Sequence, residues 1–271
     1  MKKIFIDIIA CVAMISALAA CNTEKPGNDE DKEGDEIPAV SAFERNVCIM
    51  EFTGTWCTFC PSAATTVNYM VSDAYKDRAY ALAFHIEDEY SISEGKRLYN
   101  GFGLTSAPSY SIDMRDHGYF SDGEFSIDID KALYDNPVHC AAAVECSCDS
   151  DGQVKVSARM FSEMKSSYSI AAYVIEDKII GRQTMPNTQV DQNYTHRHVV
   201  RKTLSGSING DSLGEVEAGK EAEKKYAFTI EDGWKKENLS VAVLVITEKG
   251  EVGNMAVCAA DGGKMDYKYV K

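Results

Sequence analysis

The chain is poor in basic residues, and this shortage excludes one broad class of function. Lysine and arginine together number 28 against 42 aspartates and glutamates, which gives a formal net charge of −14 at pH 7. Proteins that bind nucleic acids neutralise phosphates with clustered lysines and arginines. We therefore expect no nucleic-acid partner for this acidic chain.

Several patterns that mark common enzyme classes are also missing. The sequence contains no glycine-rich phosphate loop, no Ser-His-Asp arrangement and no zinc-protease helix. Zinc bound by Cys57 and Cys60 would need two further ligands at ordered spacing, and the nearest paired cysteines and histidines lie in the other half of the chain. We expect no cofactor and no metal. A metal site at His196 and His198 is the weaker alternative to histidines that serve strand pairing.

The one long apolar run of the sequence lies at its start. Lys2 and Lys3 precede the run from Ile4 to Ala20, which contains Asp7 and ends in small residues before Cys21. Such a run is short for the ~30 Å hydrocarbon core of a membrane, although a membrane-spanning helix is the alternative. The pattern resembles the lipobox of bacterial lipoproteins. This resemblance implies that residues 1–20 are a signal peptide and that lipid on Cys21 binds the membrane.

An acidic segment without large apolar residues follows Cys21. Seven acids lie between Asn22 and Glu36, together with Lys25 and Lys32. A segment of this composition cannot bury enough apolar surface to fold. We predict a flexible tether over residues 21–45. It also resembles the surface-export signal of some lipoproteins, and a solvated linker is the alternative explanation.

Residues 46–136 alternate between strand and helix patterns. Val47 to Thr53 and Tyr80 to Ile86 are nearly continuous apolar runs, as expected of strands covered on both faces. Between them, apolar residues recur from Ala63 to Ala74 at helical spacing. These segments predict a βαβ unit. The sequence further predicts the following elements: a helix over Ser93 to Phe102, a strand over Ser109 to Met114, a turn at Asp116 to Gly118 and a last helix capped by Asp128.

Beyond Pro137 the pattern changes to alternating strands. Val154, Val156 and Ala158 face one side and the intervening polar residues face the other, after a turn at Asp151 and Gly152. Further strands are predicted over Tyr168 to Ile175, His196 to Leu204, Lys225 to Ile230 and Val241 to Thr247. We predict an all-β domain of immunoglobulin-like sandwich type over residues 137–271.

The chemistry of the chain centres on Cys57 and Cys60. Thiol-disulfide exchange needs a thiolate nucleophile and a second thiol that resolves the mixed disulfide, and a Cys-x-x-Cys pair supplies both. Where a strand leads into a helix, unpaired backbone N–H groups stabilise the thiolate. We expect Cys57 to be the exposed, attacking sulfur and Cys60 the buried, resolving one. Pro61 is tolerated because it falls in the first helical turn.

The segment from Glu51 to Pro61 resembles the active site of the thioredoxin superfamily, which predicts an α/β thioredoxin-like domain over residues 46–136. Trp56 matches the tryptophan before the first cysteine. Glu51 matches the buried acid that accepts the resolving thiol's proton, and a glutamate at a solvated edge is the alternative. Pro108 matches the cis-proline that contacts substrate.

Five further thiols lie outside the predicted signal peptide, the lipid site and the Cys-x-x-Cys motif. They are Cys48, Cys140, Cys146, Cys148 and Cys258. Cys146 and Cys148 are predicted on one strand face and are poorly placed to bond each other. Either one reaches Cys258 if its strand lies alongside, and the sequence leaves this pairing open. His85 is predicted to be a hydrogen-bonded core histidine near the motif.

Taken whole, the chain resembles the family of lipoproteins related to outer membrane protein 28. That family has the same order of segments: a lipobox, an acidic tether, a thioredoxin-like segment and a β-rich segment. Residues Asn193 to Arg201 resemble the family more weakly. The resemblance implies a lipid-anchored protein of the cell envelope, located in the outer membrane and either periplasm-facing or surface-exposed. One hypothesis is thiol-disulfide exchange with exported proteins. The other is a surface binding or adhesion module on a non-catalytic scaffold.

Overall fold

The computed structural model describes residues 41–135 and 139–270. The predicted signal peptide, Cys21 and most of the predicted tether lie outside the described residues, and so does the predicted domain boundary at residues 136 and 137. Among the described helices, none combines the length and the apolar character that a membrane crossing requires.

The first half of the described chain contains helices and strands. The strands are β1 (Val47–Thr53), β2 (Ala79–His85), β3 (Ser109–Ile112) and β4 (Asp116–Tyr119). The helices are α1 (Cys60–Tyr69), α2 (Ser93–Gly101) and α3 (Phe125–Asp130), with π-helical turns at Met70–Ala74 and Lys131–Asp135 and a 3-10 turn at Phe120–Asp122. The apolar runs at β1 and β2 form parallel neighbours, as the sequence predicts.

The second half of the described chain is almost entirely strand. Its elements are β5 (Cys140–Cys148), β6 (Gln153–Ser162), β7 (Ser166–Glu176), β8 (Ile179–Thr184), β9 (Val190–His196), β10 (Val199–Thr203), β11 (Asp211–Val216), β12 (Lys220–Thr229), β13 (Leu239–Thr247), β14 (Val252–Ala259) and β15 (Lys264–Met265), with a 3-10 turn at Lys236–Asn238.

One mixed sheet joins strands from both halves. Within the described residues it has nine strands, in the order β14-β13-β7-β10-β2-β1-β3-β4, with β11 also paired to β7. Strand β10 runs parallel to β2 through Val199 and Ala83, and the N–H of Ala83 donates to the carbonyl of His198 at 2.7 Å. A separate antiparallel sheet has the order β12-β6-β5-β15, and β8 pairs with β9 in a hairpin.

Apolar side chains fill the space on both faces of the mixed sheet. Val67 of α1 and Ile129 of α3 pack with Val47 and Ile49 on one face of β1. Leu98 of α2 belongs to the cluster on the opposite face. A third cluster lies between the mixed sheet and the antiparallel sheet. The mixed sheet is therefore buried on both faces, as parallel strands require.

Three local predictions were wrong. The predicted turn at Asp116 to Gly118 is strand β4, because Asp113 and Met114 take positive φ angles and turn the chain earlier. Asp128 lies inside α3, where its Oδ2 accepts a 2.9 Å hydrogen bond from the Tyr110 hydroxyl, and Glu124 is the N-cap. The predicted strand from His196 to Leu204 is broken after His196 by the positive φ of His198.

The last residues of the predicted tether are part of the fold. Phe43 is buried and forms an isolated bridge with Tyr269. Arg45 is buried and forms an ion pair with Asp113 at 2.5 Å, just beyond β3. The chain is therefore packed from Phe43 onward, because an apolar ring and a buried ion pair hold it there.

Candidate functional site

Cys57 and Cys60 form a disulfide where β1 leads into α1. Helix α1 begins at Cys60, and Pro61 occupies its first turn, where the missing N–H breaks no helical hydrogen bond. The backbone N–H of Cys60 donates to Sγ of Cys57 at 3.1 Å. Such a donor at a helix N-terminus favours negative charge on that sulfur when the disulfide is reduced.

Trp56 packs against the loop that precedes the disulfide. Its Nε1 donates to the carbonyl of Ile86 at 2.8 Å, while nearly half of the residue's surface stays exposed. A Cβ at Gly54 would lie 2.6 Å from Nε1 of Trp56, so a glycine is required there. The hydrogen bond ties the disulfide loop to the segment that follows β2.

The prediction that Cys57 is exposed was wrong for this disulfide form of the protein. Cys57 is 3% exposed and Cys60 is 1% exposed. The hairpin of β8 and β9 contacts the disulfide loop, because Nε2 of Gln183 donates to the carbonyls of Cys57 at 2.9 Å and Gly54 at 3.3 Å. The N–H of Thr184 also donates to the carbonyl of Thr55 at 2.8 Å. The second half of the chain thus holds the disulfide loop in place.

Glu51 is a buried carboxyl in the middle of the mixed sheet. It lies on β1 between β2 and β3 and is 3% exposed, which excludes the alternative of a solvated edge. Its Oε1 has no hydrogen-bond partner among the described residues. Burial raises the pKa of Glu51 to about 8. Glu51 and Cys60 line the same cavity of about 260 Å³, so a carboxyl that titrates near neutral pH shares a cavity with the second cysteine.

Two histidines from different halves of the chain line this cavity. The rings of His85 and His196 lie 5.2 Å apart, and Nδ1 of His85 is 2.6 Å from Oδ2 of Asp88. Burial, followed by the charge of His85, lowers the pKa of His196 to about 4, so this ring is neutral at neutral pH. Oδ2 of Asp88 also accepts a 2.8 Å hydrogen bond from the N–H of Thr55 in the disulfide loop. His85 is thus a buried, hydrogen-bonded histidine at the edge of the site.

His196 and His198 do not share a strand face. His196 ends β9, whereas His198 lies in the link to β10, where its N–H donates to Asp177. Across residues 41–135 and 139–270, no group of three or more His, Cys, Asp or Glu side chains is placed to hold a metal ion.

A second, more apolar groove also adjoins the disulfide loop. It has a volume of about 780 Å³, and its lining includes Phe59, Pro108, Tyr119 and Phe120. The peptide bond between Ala107 and Pro108 is cis. Phe59, which lies between the two cysteines, is largely exposed beside this groove. The structure therefore brings Pro108 to the disulfide loop from a separate part of the sequence.

The contribution of the β8–β9 hairpin was not predicted from the sequence. Gln183 stands in a polar stretch with no periodicity that distinguishes it from any solvated glutamine. The one indication in the sequence was the weak family resemblance at Asn193 to Arg201. Residues Tyr194 to Arg197 of this segment line the cavity beside Cys60. That resemblance did not indicate that the segment lies beside the disulfide.

Replacing Gln183 by alanine should loosen the disulfide loop. The substitution leaves the buried carbonyl of Cys57 without its side-chain donor, and we expect a loss of about 1–3 kcal/mol of stability. After reduction, alkylation of Cys57 should be several-fold faster. Gln192→Ala, in the exposed part of the same hairpin, is the matched control and should change neither quantity. Equal alkylation rates in the two variants would show that Gln183 does not hold the loop.

Among solved structures, HBP35 of Porphyromonas gingivalis has a similar fold. The TM-score is 0.65 at 18% sequence identity, and the match covers 81% of this chain and 76% of that chain. A domain of the outer membrane lipoprotein Omp28 from Porphyromonas gingivalis gives a TM-score of 0.33 at 17% identity, covering 46% of this chain and 89% of that chain. Only the first match supports a shared fold. Among curated proteins, no sequence matches this chain.

A protein-family comparison gives a clearer result for the sequence. Residues 95–261 match the family described as outer membrane protein Omp28. The matched residues make up more than half of the chain and include most of α2, all of β3 and most of the strands of the second half. The resemblance predicted from the sequence is therefore confirmed, and the chain belongs to the Omp28 family of outer membrane proteins.

Proposed function

We propose that this protein is a lipid-anchored thiol-disulfide oxidoreductase of the bacterial cell envelope, with Cys57 and Cys60 as its redox pair. The observation that carries the proposal is the disulfide at the start of α1 together with the buried Glu51 carboxyl, which shares a cavity with Cys60. A structural disulfide needs no such titratable neighbour, whereas an exchanging pair needs a group that moves a proton.

The thioredoxin-like assignment rests on the arrangement of the first half. The order β2-β1-β3-β4, with β1 parallel to β2 and antiparallel to β3, places the cysteine pair after the central strand. The groove beside Phe59 and Pro108 supplies a surface along which an extended substrate segment binds. The antiparallel sheet that packs against the mixed sheet supports a sandwich of immunoglobulin-like type in the second half.

The proposed reaction proceeds through one mixed disulfide. The Cys57 thiolate attacks one sulfur of a substrate disulfide, and the other substrate sulfur leaves as a thiolate that takes a proton from water. Cys60 then gives its proton to the ionised form of Glu51 and attacks Sγ of Cys57. The second substrate sulfur leaves as a thiolate, which takes a proton from water. The substrate gains two electrons and two protons, and Cys57 and Cys60 become the disulfide. The reverse sequence oxidises a substrate dithiol, and the relative reduction potentials set the direction.

The proposed location is the outer membrane, with lipid on Cys21 as the anchor. The lipobox before Cys21 and the name of the family support this placement. In this compartment the partners are exported proteins with thiols or disulfides, or a redox protein that resets the pair.

Substrate trapping in cells tests the proposal. In a Cys60→Ser variant the resolving thiol is missing, so mixed disulfides on Cys57 should accumulate and appear as reducible high-mass adducts. The double variant Cys57→Ser with Cys60→Ser is the control and should trap nothing. Absence of adducts in the single variant, with the protein folded and exported, would contradict the proposal.

A binding module is the second candidate function. One observation favours it: the residues that match the family begin at residue 95, beyond the disulfide. In this case the thioredoxin-like part is a non-catalytic scaffold of a surface lipoprotein. Protease treatment of intact cells separates the two hypotheses, because complete surface exposure combined with unchanged exported thiols in Cys57→Ala cells would favour the binding module.

A further inference from the structure

Four cysteines of the second half lie close to the space between the two sheets. Cys140, Cys146 and Cys148 belong to β5, and Cys258 belongs to β14. All four pack in or against the apolar cluster between the sheets, and none is in a disulfide in this structure. The proposed redox site uses none of them.

Strands β5 and β14 belong to different sheets but approach each other closely. Near the start of β5, Nδ2 of Asn254 donates to the carbonyl of Cys140 at 3.0 Å. A Cβ at Gly253 would lie only 2.7 Å from Sγ of Cys140, so a glycine is required for this approach. Near the other end, the N–H of Cys146 donates to the carbonyl of Gly263 at 2.9 Å, just beyond β14. Close approach of two backbones is the condition that a disulfide between them must meet.

Cys146 and Cys258 interact at this end, within the same apolar cluster. The Cys146 thiol is hydrogen-bonded to Cys258, and the two residues are 4% and 7% exposed. The hydrogen bond from Cys146 lowers the pKa of the Cys258 thiol. Cys258 is therefore the better nucleophile of the pair, and Cys146 is placed to resolve.

We propose that Cys146 and Cys258 are a second dithiol, which a low-molecular-weight or protein disulfide oxidises to a disulfide that joins the two sheets. The Cys258 thiolate attacks the oxidant and releases one of its sulfurs as a thiol. Deprotonated Cys146 then attacks Sγ of Cys258 and releases the second sulfur of the oxidant as a thiol. The pair loses two electrons and two protons, and the oxidant becomes two thiols. This inference is independent of the proposed function of Cys57 and Cys60.

The neighbouring Cys148 provides a matched comparison. It lies two residues further along the same face of β5 and is only partly buried, and its thiol donates to the carbonyl of Asp149. Cys148 is thus more accessible than Cys146 but has no sulfur partner in contact among the described residues. If accessibility decided the pairing, Cys148 would bond Cys258, whereas the hydrogen bond between the two side chains selects Cys146.

Peptide mapping after oxidation tests the proposal on the full-length protein. The purified protein is reduced, treated with oxidised glutathione, unfolded, blocked with an alkylating reagent and digested with trypsin. Cys258 then lies in residues 250–264, while Cys140, Cys146 and Cys148 share residues 132–155. A Cys140→Ser, Cys148→Ser background therefore makes the assignment unambiguous.

We expect a cross-linked pair of these two peptides in the wild type and in the Cys140→Ser, Cys148→Ser background. The link should be lost in Cys258→Ala and in Cys146→Ala, either of which keeps a small apolar side chain in the core. Thermal melting of the oxidised background protein should occur several degrees above that of its reduced form, because the link closes a long loop. Fully alkylated Cys146 and Cys258 after oxidation, or a link through Cys148 in the wild type, would overturn the proposal.

Discussion

Cys57→Ser is expected to abolish disulfide exchange with a protein substrate, with a rate loss of about 10³-fold or more. The sulfur of Cys57 accepts a hydrogen bond from the backbone N–H of Cys60, and this donor stabilises the attacking thiolate. A serine hydroxyl in the same position is not ionised at neutral pH and forms no mixed disulfide. Reduction of a soluble disulfide substrate, followed with a regenerating dithiol, measures the loss.

The matched control for Cys57→Ser is Cys148→Ser. Cys148 is a free, partly buried thiol distant in sequence from the redox pair, and its loss should leave the exchange rate unchanged. If Cys57→Ser retained the wild-type rate, another thiol would be the nucleophile. If both variants slowed equally, the effect would reflect folding rather than chemistry.

Glu51→Gln is expected to have opposite effects on activity and on stability. The substitution removes the proposed acceptor of the Cys60 proton, so resolution of the mixed disulfide should slow by about 10²-fold. The thiolate attack by Cys57 should be unaffected, and mixed disulfides should therefore accumulate. If the rates of attack by Cys57 and of resolution by Cys60 fell equally, the result would argue against the proton-acceptor role of Glu51.

The stability effect of Glu51→Gln follows from the raised pKa. The folded protein holds the Glu51 proton up to a pKa of about 8, whereas the unfolded chain releases it near the usual glutamate pKa of 4.5. Stability from this group is therefore complete below that lower value and is lost as the pH rises through the folded pKa. A neutral glutamine avoids the loss, which should make the variant more stable than wild type by roughly 3 kcal/mol at pH 7.

Denaturant unfolding at several pH values measures this difference. At pH 4 the two proteins should be equally stable, and the gap should widen up to about pH 9. Glu87→Gln, at an exposed residue with a surface ion pair, is the control and should show almost no pH-dependent change. A gap of constant size at all pH values would show that Glu51 is not held protonated in the folded state.

Sequence patterns predicted the elements that carry the cysteine pair because their periodicity is strong. The apolar run at β1 and the helical spacing from Ala63 onward required no long-range information. The turn after β3 was misplaced because Asp113 and Met114 adopt positive φ angles, which neither residue type indicates by itself. Local patterns are reliable where burial repeats along the chain, and less reliable where one or two residues set a turn.

Contacts between the two halves of the chain could not be predicted from the sequence. Gln183 contacts the disulfide loop from well over one hundred residues away, and the ring of His196 meets that of His85 edge to face across a similar separation. Neither contact leaves a periodic signal, since each depends on the placement of one hairpin. The same reason hid the burial of Cys57. The order of the segments nonetheless identified the family, because that order is a property of the whole chain.

The reduction potential of Cys57 and Cys60 in the purified protein tests the proposed function most directly. Equilibration with glutathione buffers, alkylation and mass spectrometry give the fraction of the pair in the disulfide form. We expect a reversible couple between roughly −120 and −270 mV, the range of catalytic pairs of this kind. A disulfide that stays oxidised below about −300 mV, or thiols that do not exchange, would make the pair structural and contradict the proposed function.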